Sequence, residues 1–211
     1  DDGLVPFLAH CAALDAAVRQ GDMALKPGRT LYAGKLAGVR APRVMFAAAA
    51  DASPRAVKVA MAASLLALKA LAIKHLAVTL AGAAEPTDAH AEALATAVGD
   101  AVYLYRHTKP SAGPAPRLAR VTLISGAAGA AAVSQGLRRG AAIVQGVKLA
   151  RELANRPGNH CTPSHLAERA QELARGPHFK VEVLGRKEIE KLGMGSFLAV
   201  AQGSEEPPRF I

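Results

Sequence analysis

Short apolar segments alternate with longer segments of helical periodicity from Thr30 onward, and this alternation constrains the fold more than any other feature. The strand candidates are short apolar runs that end at turn or cap residues: TLYAGKL, PRVMFAAAA, HLAVTLAG and LARVTLISG. Apolar residues at helical spacing follow Ser53 and Thr87, and both residue types are good N-caps. Strands that alternate with helices predict βαβ crossovers and a mainly parallel sheet covered on both faces. We therefore expect an α/β fold.

A longer helix is predicted from Ser134 to Asn155, and it would extend roughly 33 Å at 1.5 Å per residue. Its apolar residues form one stripe at alternating spacings of four and three: Ile143, Val147, Ala150 and Ala154. A helix of this length suits a connection between two domains.

The stretch ANRPGNHCTP follows this helix and has the features of an interdomain joint. Pro157 and Gly158 end the helix, while Thr162 and Pro163 form an N-cap and first-turn pair that begins the next one. Beyond the joint, FKVEVLG predicts a strand, KEIEKLG a short helix, and PPRFI the opening of a buried strand.

The expected domain organisation follows from these segments. Residues 1–133 form an amino-terminal α/β domain, 134–158 the connecting helix and joint, and 159–211 the start of a second α/β domain. About 55 residues with two or three strands cannot cover a parallel sheet on both faces, so this second domain is expected to be incomplete.

Composition indicates a globular chain in a reducing compartment. Apolar residues make up 51% of the 211 residues. Cys11 and Cys161 are too far apart in sequence for a disulfide framework or a zinc ribbon, so a cytoplasmic location is expected. No apolar run reaches the roughly 18 residues needed to span a bilayer, so no membrane association is expected.

The formal net charge of +9 permits nucleic acid or another polyanion as a partner, although net charge alone does not specify one. The nearest approach to a basic cluster lies along the predicted long helix: Arg138, Arg139, Lys148 and Arg151. A solvated helix face is the usual explanation of such a pattern.

Three residues of the joint, His160, Cys161 and His165, are types that bind zinc. Their spacing is poor, no second close pair lies elsewhere, and Thr162 to His165 is better explained as a helix start. Cys161 as a nucleophile would need a base and an orienting carboxylate. A structural role is therefore favoured for all three.

The stretch SGAAGAAAVSQG follows a predicted strand and precedes a helix, which is where phosphate-binding loops lie. It contains neither the Gly-Lys-Ser/Thr of a P-loop nor the spacing G-x-G-x-x-G, so a turn without a ligand explains it. The last aspartate of the chain is Asp100, and the later glutamates mostly lie beside Lys or Arg on helical patterns. No catalytic, cofactor-binding or metal-binding residue is predicted within these 211 residues.

Two long segments resemble the leucyl aminopeptidase (cytosol aminopeptidase) family: GVKLARELANRPGNHCTPSHLAERAQELA and LGMGSFLAVAQGSEEPPRFI. The matching residues fall in a fixed order: Asn155, Pro157, Asn159, Pro163, Gly193 to Gly195, Ala199, Gly203, Ser204, Pro207, Pro208 and Arg209. Upstream, YLYRHTKP and the basic loop into RLARVTLI are similar to the family's less regular amino-terminal domain.

The resemblance implies a macro-like amino-terminal domain, a connecting helix and a peptidase domain assembled into hexamers. It implies a cytoplasmic hydrolase that removes amino-terminal residues, often leucine, from peptides with two divalent ions such as zinc or manganese. In that mechanism the ions bind the free amine and the scissile carbonyl and activate a bridging water, while a lysine and an arginine with bicarbonate support the tetrahedral intermediate.

The family's metal ligands belong to the motifs Gly-Lys-Gly-x-x-Phe-Asp-[ST]-Gly-Gly and Asn-Thr-Asp-Ala-Glu-Gly-Arg, which fall beyond Ile211. We therefore expect the whole protein to be a metallo-aminopeptidase and this chain alone to be inactive and without bound metal. Two alternatives remain open: a DNA-binding regulatory module that uses the basic amino-terminal domain, and nucleotide binding by the macro-like fold.

Overall fold

A computed structural model describes residues 5–37, 39–81 and 85–211, with the backbone alone for 5–11. The chain divides into two compact units. The first unit comprises Asp1–Leu104 and Gly113–Lys148, and the second comprises Tyr105–Ala112 and Leu149–Ile211. The division therefore falls inside the long helix.

The elements of the first unit, in chain order, are α1 Val5–Gln20, β1 Thr30–Ala33, β2 Val44–Ala47, α2 Pro54–Leu68, β3 His75–Val78, α3 Asp88–Val102, β4 Arg120–Leu123 and a 3₁₀ turn at Ala127–Gly129. Helix α4, Ala130–Ala154, follows and extends into the second unit. The remaining helices are α5 Pro163–Leu173, α6 Arg186–Lys191 and α7 Gly195–Ala201. Among the described residues, no helix combines the length and the apolarity that crossing a bilayer would require.

The predicted α/β class is confirmed by the βαβ unit of β3, α3 and β4. Strands β3 and β4 pair in parallel, with His75 opposite Arg120 and Val78 opposite Leu123. Strands β1 and β2 pair antiparallel instead. The segment 34–43 between them is shorter than the dozen or so residues that a parallel crossover needs, which explains this difference.

The core of the first unit lies between α2, α3 and the parallel strands. Met61 and Leu65 of α2 pack against Leu94 and Ala97 of α3, and apolar residues of β3 and β4 cover the same cluster. Leu94 is only 1% exposed. Burying a leucine this completely stabilises a fold by roughly 1.5–3 kcal/mol relative to leaving it in water.

Helices α3 and α4 approach closely along three glycines, Gly99, Gly136 and Gly140, which we call the glycine seam. A Cβ on Gly140 would lie 2.6 Å from Cβ of Ala95, and one on Gly99 would lie 2.5 Å from a methyl group of Val144. A Cβ on Gly136 would collide with the backbone carbonyl oxygen of Asp88. Only residues without a side chain allow the two backbones to come this near.

The buried residues of the long helix are not those of its apolar stripe. The helix begins at Ala130, before Ser134, and its buried residues are Val133, Gly136 and Gly140. Ile143 and Val147 of the predicted stripe are each 40% exposed, and Ala150 and Ala154 are exposed as well. Glycine has no apolar side chain, so a search for apolar periodicity does not find a face that packs through glycine.

The second unit has little strand structure. The predicted strand FKVEVLG is reduced to one antiparallel bridge, in which Leu184 and Phe210 exchange backbone hydrogen bonds of 2.8 and 3.0 Å. Phe210 is 42% exposed and Ile211 51%, so the prediction that PPRFI is buried does not hold for this structure. Helix α7 occupies part of MGSFLAVAQGS, for which no helix is predicted. Ile189 of α6 is fully buried.

Candidate functional site

The joint residues form a turn that is held by backbone hydrogen bonds. The N–H groups of His160 and Cys161 donate to the carbonyl oxygen of Pro157 at 2.8 and 2.9 Å. Thr162 Oγ1 accepts from the backbone N–H of His165, which confirms the predicted N-cap of α5. Cys161 is a half-buried free thiol.

The imidazoles of the joint are engaged with protein groups. Arg156 Nη1 lies 3.2 Å from His165 Nε2, and since a guanidinium only donates, this nitrogen accepts. The ring of His160 contacts the ring of His107 edge to face, with centroids 5.6 Å apart. Because its Nε2 lone pair is used by Arg156, His165 does not offer that nitrogen to a metal.

No three His, Cys, Asp or Glu side chains in the described part of the chain are grouped so that they could hold a metal ion. Two-metal hydrolysis needs several carboxylates around ions a few Å apart. The two divalent ions implied by the resemblance therefore do not fit the described residues.

The glycine-containing loop after β4 contacts the side chain of Glu85. The backbone N–H of Gly126 donates to Glu85 Oε2 at 2.8 Å. A Cβ on Gly126 would lie 2.6 Å from Glu85 Oε1, and one on Gly129 would lie 3.5 Å from Oε2. Gly126 therefore makes room for the carboxylate, whereas a Cβ on Gly129 would make only an ordinary van der Waals contact. Sequence reasoning missed Glu85 because no local pattern links it to a loop 41 residues away.

A second polar junction joins the starts of α2 and α3. Ser53 Oγ accepts from Ala56 N–H as the N-cap of α2, and Thr87 Oγ1 caps α3 by accepting from His90 N–H, as predicted for both caps. His90 Nε2 lies 2.6 Å from the carbonyl oxygen of Ala52, and its Nδ1 lies 3.2 Å from Thr87 N. Hydrogen bonds from Ser53 lower the pKa of Asp51.

The basic cluster along α4 is partly paired with carboxylates of α3. Arg139 binds Asp88 at 3.0 Å and also contacts Glu92. The hydrogen bond from Arg139 is the main cause that lowers the pKa of Asp88, and Glu92 and Asp88 raise the pKa of the guanidinium. Arg138 Nη1 lies 3.1 Å from Ser134 Oγ on the same helix. Arg139 thus contributes to helix packing.

The second unit contains an open, largely polar groove of about 270 Å³. One face of α5 lines it with Arg209 and Val183: the helix residues are Ser164, Ala167, Glu168 and Gln171. Arg209 is also one of the residues that carry the family resemblance. The described side chains of this groove include no grouped metal ligands.

Comparisons with known proteins show which family the chain resembles along most of its length. Residues 9–111 match the model of the cytosol aminopeptidase family, N-terminal domain, and residues 148–211 match that of the catalytic domain. A probable cytosol aminopeptidase of Methylibium petroleiphilum is 61% identical over 198 residues, which cover 94% of this chain and 40% of that protein. One from Polaromonas sp. is 43% identical over 97% of this chain and 39% of its own length.

Solved structures share the fold of the chain. The bottromycin maturation enzyme BotP is 27% identical, with a TM-score of 0.74 over 92% of this chain and 41% of that chain. A tomato leucine aminopeptidase mutant, 24% identical, has the same fold, with a TM-score of 0.78 over 99% of this chain and 42% of that one. The chain thus spans about 40% of the length of the relatives it matches. Because models of both domains of one family match it in order, the chain belongs to the cytosol aminopeptidase family.

Proposed function

We propose that the protein containing this chain is a metallo-aminopeptidase that hydrolyses amino-terminal residues, often leucine, from peptides. The observation that carries the proposal is the 61% identity over 198 residues with a probable cytosol aminopeptidase. This identity extends over both units of the chain, so it concerns the beginning of the catalytic domain as well as the amino-terminal domain.

The domain organisation proposed for this chain is a macro-like domain in residues 1–133, a connecting helix and joint in 134–158, and the start of the peptidase domain in 159–211. The division of the structure between Lys148 and Leu149 supports a boundary within or near the connecting helix. The match to the catalytic-domain model also begins at residue 148.

The proposed cofactors are two divalent ions, manganese or zinc. A structure of BotP in complex with Mn, 28% identical to this chain, supports divalent metal use. When bound, such ions polarise a carbonyl and activate a water molecule. The metal ligands and the catalytic lysine and arginine are proposed to lie outside residues 1–211, and the chain's share of about 40% of its relatives' length is consistent with that placement.

The proposed setting is a homohexamer in the cytoplasm acting on peptide substrates. The word cytosol in the names of the family and of its relatives supports the location. The hexamer follows from the family resemblance. Size-exclusion chromatography with light scattering on the whole protein would test it, and a monomer at micromolar concentration would contradict it.

Turnover of leucine p-nitroanilide with added Mn²⁺ tests the main proposal. We expect the 211-residue chain to be inactive and the whole protein to be active, with activity lost in EDTA and restored by Mn²⁺. Turnover by the purified 211-residue chain would refute the proposed location of the ligands. A whole protein that folds, binds Mn²⁺ and hydrolyses no aminoacyl anilide or peptide would refute the aminopeptidase assignment.

The alternative of DNA binding is favoured only by the net charge of +9. For electrostatic binding of this kind, the logarithm of the affinity falls linearly with the logarithm of the salt concentration. Fluorescence anisotropy with a duplex at low and moderate salt discriminates the two functions. Tight binding that falls steeply with salt would support a DNA-binding module, and no binding at low salt would exclude it.

A further inference from the structure

Helices cover only one face of the parallel pair of β3 and β4. Four inward residues pack against the cluster of α2 and α3: Leu76, Val78, Val121 and Leu123. The alternate residues are exposed on the opposite side, which we call the outer face: His75, Ala77, Arg120, Thr122 and Ile124. Parallel sheets are usually covered on both faces, and the sequence predicts the same for this one. In the described chain the outer face therefore has no second layer.

The outer face is one continuous surface with an apolar end. His75 is the register partner of Arg120, and Ala77 is that of Thr122. His75 Nε2 lies 2.9 Å from Thr122 Oγ1, so side chains of the two strands meet on this face. Ile124 is 52% exposed, and its N–H continues the hydrogen bonding to β3 at 2.8 Å. The apolar end therefore lies around Ala77 and Ile124.

The other end of the face, at the start of both strands, carries positive charge. The N–H of Arg120 donates to the carbonyl oxygen of Lys74 at 3.1 Å, so these two residues are neighbours, and Arg117 lies in the segment that leads into β4. We call Lys74, Arg117 and Arg120 the basic rim. All three are exposed, and none forms an ion pair within the described chain. No aspartate or glutamate occurs in residues 52–84 or 101–151, which contain the two strands and their flanks.

We propose that the outer face docks an acidic amphipathic helix of a partner protein. The layer that covers a sheet is typically a helix with one apolar side. Such a helix would bury Ile124, with Ala77 leaving room for a large apolar side chain, and would place its carboxylates beside the basic rim. Arginine binds a carboxylate through two parallel hydrogen bonds, so Arg120 would fix the orientation of the helix on the sheet. The proposal concerns the amino-terminal unit alone and does not depend on the aminopeptidase activity.

The charge and composition of the outer face disfavour two other occupants. Two copies of this chain packed through their outer faces would bury Arg120 with no carboxylate to pair with it, and an unpaired buried charge is strongly unfavourable. An anionic bilayer would attract the basic rim, but membrane binding also grows with the apolar area that is buried. Among the five residues of the outer face, Ile124 alone has a large apolar side chain. A protein helix that supplies both apolar and acidic side chains fits this face better.

The test uses the 211-residue chain and a synthetic peptide of about 18 residues, long enough to be helical, with leucine at every third or fourth position and glutamate between. Backbone amide NMR locates the binding, and fluorescence anisotropy measures the affinity. We expect saturable shifts at Ala77, Thr122 and Ile124. Arg120→Glu should weaken binding at least about tenfold, because a like charge then faces the carboxylates. A peptide with lysine in place of glutamate should bind R120E more tightly than it binds the native chain.

A matched control separates docking from net charge. Arg55→Glu makes the same change of charge at an exposed position of α2, which packs on the opposite face of the sheet, and should alter the affinity less than about twofold. If R120E lacks a cooperative thermal transition, Arg117→Glu takes its place, since Arg117 lies outside the strand. Equal weakening by R55E, no saturable shift on the outer face, or tighter binding of duplex DNA to the same amides would overturn the proposal.

A second measurement asks whether the outer face is open in the whole protein. Ala77→Cys places a thiol on this face, and its reaction with a maleimide is compared with that of the native cysteines, Cys11 and Cys161. We expect Cys at this position to react as fast in the whole protein as in the 211-residue chain. Protection in the whole protein alone would show that another part of the same chain covers the face, and a partner helix would then be excluded.

Discussion

His90 connects two helix starts through both nitrogens of one ring. The N–H of Thr87 can only donate, so Nδ1 accepts, and the carbonyl oxygen of Ala52 can only accept, so Nε2 carries the proton and donates. The structure therefore assigns the neutral Nε2–H tautomer to this residue. The ring completes a capping box on α3 and also fixes the loop before α2.

Replacing His90 with alanine should lower the free energy of unfolding by about 1–2 kcal/mol, because a cap and a second hydrogen bond are lost. Chemical denaturation of the 211-residue chain measures this change. The control is His178→Ala at an exposed position, which should change stability by less than about 0.5 kcal/mol. Long-range ¹⁵N–¹H NMR that finds the proton on Nδ1 at neutral pH would contradict the assignment.

For single residues, the sequence predicts the interactions that depend only on neighbouring residues in the chain. The caps Ser53, Thr87 and Thr162 are confirmed, because an N-cap depends on residues within one turn. The contact between Glu85 and Gly126 joins residues far apart in the chain, and no short pattern reports such a pairing. The prediction that residues 1–211 contain no catalytic or metal-binding side chain stays a prediction.

The glycine seam explains how α3 and α4 pack. Gly136→Ala should be clearly destabilising, by about 1–3 kcal/mol, because its Cβ would collide with a backbone carbonyl that cannot rotate away. Gly146→Ala in the same helix is the matched control, since a Cβ there meets nothing within 4 Å. That control should stabilise the helix by roughly 0.5–1 kcal/mol through its better helix propensity. Equal effects of the two substitutions in thermal or urea unfolding would refute the seam.

The ion pair between Asp88 and Arg139 leads to a separate prediction about the stability of the chain at acidic pH. The pKa of Asp88 in the folded chain is lowered from 3.8. The stability that the ionised carboxylate contributes is therefore fully present above pH 3.8, and it is lost as the pH falls through the lowered pKa. Arg139→Gln should therefore lower Tm at neutral pH, and its difference from the native chain should shrink in acid below pH 3.8.

The effect should be small and weaker in high salt, because both groups are exposed. Arg138→Gln, on the same helix but bonded to Ser134, is the control and should show no such dependence on pH. A Tm difference for Arg139→Gln that stays constant across the acid range would contradict the role given to Asp88.

The type of most secondary-structure elements could be predicted from the sequence, but their packing and pairing could not. Alternation of strands and helices predicts the βαβ unit, since each segment has its own period. The packed face of α4 could not be predicted from apolar residues alone, because two of its three buried residues are Gly136 and Gly140. FKVEVLG has the alternation of a strand, but a strand also needs a neighbour, and in the described chain only Phe210 pairs with it.

The whole molecule divides into two compact units, and each contains a fully or almost fully buried large apolar residue. Leu94 is 1% exposed in the first unit and Ile189 is fully buried in the second. If the units unfold separately, calorimetry should show two transitions. Leu94→Ala should lower only one of them and Ile189→Ala only the other, each by about 2–5 kcal/mol of stability. A single transition that both substitutions lower would show that the units unfold together.

The glycine seam also determines which changes this chain can accept in a mutational scan. Every replacement of Gly136 should score poorly in such a scan, because the Cβ atom that all other residues carry would collide with the backbone of Asp88, whatever the rest of the side chain is. Gly146, ten positions along the same helix, should tolerate most replacements. An engineer seeking a site for labels or surface redesign on this helix would therefore choose the outer glycine and leave the inner ones untouched.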